Sequence, residues 1–140
     1  MSNGRGLKKQ SNKLYVGIVG CRDFENKNAF LKGVERFLPI PEFDGDTNDG
    51  VVIISDGARG ADTLAEQFAA KFYVDEPWVF KPEQDIIDEK GFAAAAHARN
   101  QEIVDASDFI IAFWDGVSTG TKDTINKTQR AKKPVVIVWI

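Results

Sequence analysis

Two hydrophobic periods alternate along this chain, and that alternation limits its fold more than any other feature. Short continuous apolar runs read as buried strands: Leu14 to Val19, closed by Gly20; Val51 to Ser55; Trp78 to Phe80, between Pro77 and Pro82; Phe109 to Trp114; and Pro134 to Ile140. Between the runs, apolar residues recur at helical spacing. Phe30, Val34, Phe37 and Leu38 mark a helix that stops at Pro39, and Leu64, Phe68 and Phe72 mark a second. The Ala-rich stretch from Gly91 to Ala106 gives a third, and Thr121 to Lys132 a fourth with a weaker face through Ile125 and Ala131. Strands that alternate with helices predict an α/β fold, a parallel sheet covered on both faces. With right-handed crossovers and two winding directions from the first strand, the expected architecture is a Rossmann-like three-layer α/β/α domain with a five-stranded parallel sheet in order 3-2-1-4-5.

The chain has 140 residues, the size of one domain. Residues 14–140 are read as that domain and residues 1–13 as a flexible basic tail, with Arg5, Lys8 and Lys9 and almost nothing to bury. Pro39 to Gly50 carries Glu42, Asp44, Asp46 and Asp49 among turn formers and reads as a loop. The formal net charge of −3 argues against a basic nucleic-acid-binding face, so nucleic acid is expected to be an unlikely partner. No apolar run reaches membrane-spanning length, the start lacks a signal peptide's apolar core, and the lone Cys21 fits a reducing compartment. The expectation is a cytoplasmic protein without a membrane partner. One Cys and one His make no transition-metal cluster, neither a Walker pattern nor GxGxxG is present, and no cofactor is identified.

Ligands of such sheets bind outside the carboxyl ends of the strands, where the winding reverses. For the expected order, that crevice lies between the first and fourth strands. After the first strand stands Gly20-Cys21-Arg22-Asp23-Phe24, and after the second Asp56-Gly57-Ala58-Arg59-Gly60-Ala61-Asp62. After the fourth stands Asp115-Gly116-Val117-Ser118-Thr119-Gly120-Thr121, preceded by Trp114. Each glycine-bearing polar segment thus follows a strand whose end faces one crevice. Glycines permit close backbone approach, and two helix starts aim unpaired N–H groups at an anion. Arg59 offers a fork for phosphate or carboxylate, or else a solvated side chain beside a capping turn. Arg99 falls in the middle of an apolar stripe of Phe92, Ala96 and Ile103, and needs either an acidic partner or a ligand phosphate. Cys21 reads as a small buried residue and His97, off that stripe, as a surface residue. Phe24 and Trp114 are candidates to stack on a base or to pack.

Val16 to Phe24, Ser55 to Asp62, Ala98-Arg99-Asn100-Gln101, and Phe113 to Gly116 through Gly120-Thr121 together resemble the SLOG superfamily of Rossmann-like nucleotide-binding proteins, over about Leu14 to Val138. Within it the chain is most similar to the small stand-alone YspA-like, or YpsA-related, branch. The resemblance implies a nucleotide or nucleotide-derived ligand, ADP-ribose among them, that is sensed, sequestered or processed. The ligand-binding candidates are Gly20, Cys21, Arg22, Asp23, Phe24, Gly57, Ala58, Arg59, Gly60, Asp62, Arg99, Trp114, Asp115, Gly116, Ser118, Thr119, Gly120 and Thr121.

The chain departs from the family where Asp56 takes the place of a glycine. The related Lonely Guy phosphoribohydrolases carry Gly-Gly-x-Gly-Thr-x-x-Glu; here Val117-Ser118 replace the two glycines and Thr124 stands at the glutamate. N-glycosidic hydrolysis of a nucleotide is therefore an alternative that needs Asp115 or Asp123 as acid or base. A further alternative is single-stranded DNA binding of the DprA type, which shares the superfamily. The apolar last strand and aromatic-rich fourth strand lead us to expect a homo-oligomer, dimeric or larger.

Overall fold

In the computed structural model, which describes residues 2–38, 50–57, 60–73 and 75–140, the apolar runs become strands of one six-stranded sheet. The elements are β1 (Ser2–Asn3), β2 (Leu14–Gly20), α1 (Lys27–Glu35), β3 (Val51–Ser55), α2 (Ala61–Phe72), β4 (Trp78–Val79), α3 (Gln84–Lys90), α4 (Phe92–Ala106), β5 (Phe109–Trp114), α5 (Thr119–Arg130) and β6 (Val135–Trp139). Every pairing is parallel, in the order β1-β4-β3-β2-β5-β6. The five strands expected from the sequence hold the order 3-2-1-4-5, with β1 added at the edge. The acidic loop read at Pro39 to Gly50 lies, up to residue 49, outside the described residues.

Alternation along each strand divides the core into two layers, because successive side chains point to opposite faces. Val16, Ile18, Ile53, Ile111 and Phe113 face α1 and α2, where they meet Phe30, Val34, Leu64 and Phe68. Tyr15, Val19, Val52, Ile54, Ile110 and Ala112 face the other side and meet Ile103, Val104 and Ile125 of α4 and α5. Phe113 is fully buried, with its ring 5.3 Å from that of Phe24 and 5.1 Å from that of Phe30. That stack ties the turn after β2 and the start of α1 to the central sheet.

Four local differences separate the structure from the sequence reading. Helix α1 starts where Asn26 accepts a hydrogen bond from Ala29 N and ends at Glu35, with Phe37 and Leu38 in a following turn on the carbonyl of Val34. Helix α3 was not expected; it buries none of its residues, so it carries no apolar period to read. Phe92 does not lie in the core but is 52% exposed at the start of α4. Finally, the stretch expected to be a flexible basic tail is, from residue 2 on, laid against the domain. β1 pairs with β4, Gly4 N donates to Val79 O, and the Arg5 guanidinium meets the Glu102 carboxylate through Nε (2.7 Å) and Nη2 (2.6 Å). Lys9 bonds Asp108 and lies over the Tyr15 ring. Main-chain hydrogen bonds to the free edge of β4, together with ion pairs, hold this segment where side-chain hydrophobicity offers nothing.

Candidate functional site

A cavity of about 520 Å³ opens at the carboxyl ends of β2, β3 and β5, at the point where the winding reverses. Its floor is the end of β2 with the turn after it, from Val19 to Asp23, and Asp56 closes one side. The start of α5, from Ser118 through Thr121 to Thr124, forms a second wall, and one face of α4 forms the third. Of the sequence candidates, Gly20, Cys21, Arg22, Asp23, Arg99, Ser118, Thr119, Gly120 and Thr121 are brought together here. Phe24, Gly57, Gly60, Trp114, Asp115 and Gly116 do not line the cavity. Ala58, Arg59 and the side chain of Asp62 lie outside the described residues.

Gly60 and Gly20 serve a joint within the protein. Gly60 has φ +81°, and a Cβ there would collide with the main-chain carbonyls of Cys21 and Arg22. A Cβ on Gly20 would lie 2.7 Å from the Cβ of Ala61 and 2.7 Å from the Phe113 carbonyl oxygen. The two glycines let the start of α2 press against the turn after β2. Of the two helix starts expected to face an anion, α5 lines the cavity with Thr119, Gly120 and Thr121, whereas Ala61 of α2 is buried against the β2 turn.

The loop after β5 is organised by Asp115. Its Oδ1 accepts hydrogen bonds from Val117 N (2.9 Å) and Ser118 N (2.7 Å), an Asx turn closed by the side chain. Those main-chain donors hold the Asp115 carboxyl down to about 2. The Ser118 hydroxyl lies 3.0 Å from Asp115 Oδ2 and 3.1 Å from Cys21 Sγ, and Trp114 Nε1 donates to the Ser118 carbonyl. Trp114 also packs on Trp139, ring centroids 5.3 Å apart. These contacts link the β5 loop to the β2 turn and present the start of α5 to the cavity.

The Arg99 puzzle resolves through tertiary structure. The stripe on α4 faces the sheet at Ile103, then runs past the strand ends, so Ala96 and Phe92 become cavity wall and rim. Arg99 stands at the transition, only 6% exposed. Its Nη2 is 3.7 Å from Asp56 Oδ2, Nη1 donates to the Asp56 carbonyl (3.3 Å), and Nε donates to Asn100 Oδ1 (3.0 Å). Asn100 in turn donates to Asp123, which takes both oxygens to Lys127 Nζ at 2.6 Å and lies 3.5 Å from His97 Nδ1. Burial pushes the Asp123 carboxyl up, but the Asn100 and Lys127 hydrogen bonds and the Lys127 charge outweigh it and leave it below the usual carboxylate value. Asp115 and Asp123, the two carboxylates offered for hydrolysis, are thus ionised, engaged by neighbours, and outside the cavity lining.

Sequence reasoning missed Phe92 as an exposed residue, and with it Ala96, His97, Asn100 and Thr124 as lining. Their helical register was legible, but which part of α4 outruns the sheet was not. Among the described residues no group of acidic, His and Cys side chains is placed to hold a metal, and no helix is long and apolar enough to cross a membrane.

No protein-family model and no curated protein sequence matches the chain. Solved structures of DNA processing proteins share its fold. DNA processing protein A of Helicobacter pylori, described for its unique single-stranded DNA binding mode, superimposes with a TM-score of 0.64 at 20% identity, over 90% of this chain and 65% of its own. DprA of Streptococcus pneumoniae does so with a TM-score of 0.64 at 19% identity, over 89% of this chain and 50% of its own. The chain therefore spans less than two-thirds of the length of either. The expectation that nucleic acid is an unlikely partner is corrected here: a protein of this fold binds single-stranded DNA. Net charge sums the whole surface, whereas a strand is held by local groups, so an acidic total does not exclude it. At these identities the likeness is one of fold: the chain shares the Rossmann-like α/β architecture of the DNA processing proteins.

Proposed function

We propose that the chain binds single-stranded DNA at the carboxyl ends of its strands, with one nucleotide unit seated in the cavity. The observation that carries this reading is the shared fold over 90% of the chain with a protein that has a single-stranded DNA binding mode. The chemistry of the cavity supports it. The start of α5 offers main-chain N–H groups and hydroxyls to a phosphate. Arg22 is exposed on the lining and free to swing toward the same place. Phe92 stands half-exposed at the rim, where a base finds a stacking surface. A free nucleotide or ADP-ribose-like molecule is the second reading. It is favoured by the size of the cavity, which falls within the range of small-molecule sites, and by the YspA-like motifs at the strand ends.

Fluorescence anisotropy with labelled oligothymidylate at low salt tests the proposal. Saturable binding is expected, weakened roughly tenfold or more by Phe92→Ala, as loss of one stacked base implies. Absence of binding to the wild-type protein would sink it. Displacement of the strand by equimolar free ADP-ribose, with no strand preference, would favour the second reading.

A further inference from the structure

We infer that Asp56 sets the charge class of phosphate the cavity accepts, admitting the singly charged phosphodiester of a strand and disfavouring the doubly charged terminal phosphate of a mononucleotide. The inference rests on the binding proposed above and deepens it. Arg99 is the buried guanidinium of the cavity, and Asp56 already engages it twice, through its carboxylate at 3.7 Å and its main-chain carbonyl at 3.3 Å. Both residues line the cavity, so the Asp56 carboxylate faces whatever anion enters. Among the described residues the other charged lining side chains are Arg22 and Asp23, exposed, adjacent in sequence and opposite in sign. The start of α5 adds a partial positive charge spread over main-chain N–H groups. Such a site suits one negative charge. A second one meets the Asp56 carboxylate, which already holds Arg99, and like charges in a shared site repel strongly. The position is therefore a selector: a neutral residue there would release Arg99 to the ligand.

The test uses the full chain and competition against labelled oligothymidylate at a pH well above ~6, where a terminal phosphate carries two charges. The competitors are thymidine 5′-monophosphate and its phosphate methyl ester, which keeps the base and sugar and has one charge. Wild type is expected to prefer the ester by on the order of tenfold. Asp56→Asn is expected to abolish that preference by strengthening the monophosphate, and Asp56→Glu to retain it. An unchanged ratio in Asp56→Asn, equal competition in wild type, or strand binding that neither competitor touches would each overturn the inference while leaving strand binding intact. If wild type fails to bind the strand at all, the proposed function falls and this inference falls with it.

Discussion

Asp123 illustrates how a residue that reads as chemistry along the chain becomes structure in the fold. Its carboxylate accepts from Asn100 and from Lys127, one turn along α5, and through Asn100 it steadies the Arg99 side chain. Its folded-state value lies below the unfolded one, so it contributes stability that is present above ~4 and lost as pH falls through the folded value. Asp123→Asn is expected to lower stability at neutral pH by about 1 kcal/mol, measured by urea denaturation. The gap to wild type should close as the pH drops below ~4. A gap of the same size at both pH values would contradict the assignment. Asp56 and Arg99 make a similar point: the acid beside the glycine turn at Asp56 and the misplaced charge at Arg99 are two ends of one contact. Each was legible as an anomaly, and neither could be explained without the other.

At the scale of elements, the least legible pieces were those without a period of their own. β1 is two residues long and α3 buries none, so neither has hydrophobic spacing to detect. β1 is held by its partners. β4 is itself only two residues, paired with β3 on one side, and its other side takes β1. Arg5 locks the arrangement by reaching Glu102 on α4 and Glu83 just before α3. Arg5→Ala is expected to cost about 1 to 2 kcal/mol, given two charge-assisted hydrogen bonds in a half-buried setting. The loss should be local, visible as faster hydrogen exchange of the Gly4 amide while the amides of β2 and β5 keep their protection. Uniformly faster exchange across the sheet would argue against a locally docked edge. Helix α4 shows the opposite case: its spacing was plain, but one stripe serves two surroundings, the sheet at Ile103 and the cavity at Ala96 and Phe92.

For the molecule as a whole, charge is the property that misleads. A net charge of −3 supplies no overall attraction for a polyanion, yet the strand binding proposed above needs only a local site for phosphate. The two facts together predict a shallow salt dependence of strand binding. With about one or two phosphates held, the slope of log K against log salt should be about −1, since each phosphate of a single strand contributes ~0.7. A slope steeper than about −3 would mean a groove that runs well beyond the cavity.

The order of strands and helices was readable from the chain, because hydrophobic period is a local property and a two-sided parallel sheet demands continuous apolar strands. The position of the crevice followed, because glycine-bearing polar turns at three strand ends converge wherever such a sheet reverses its winding. What that crevice is made of was not readable. Which glycines line the cavity and which meet Cys21 and Ala61, which carboxylates are spent on Lys127 or on Ser118 and Val117, and where α4 leaves the sheet all depend on distances between residues far apart in sequence. Asp56 and Arg99 are 43 residues apart and become a pair only when β3 and α4 end at the same cavity. Local patterning carries the topology, and long-range packing assigns each polar group its partner.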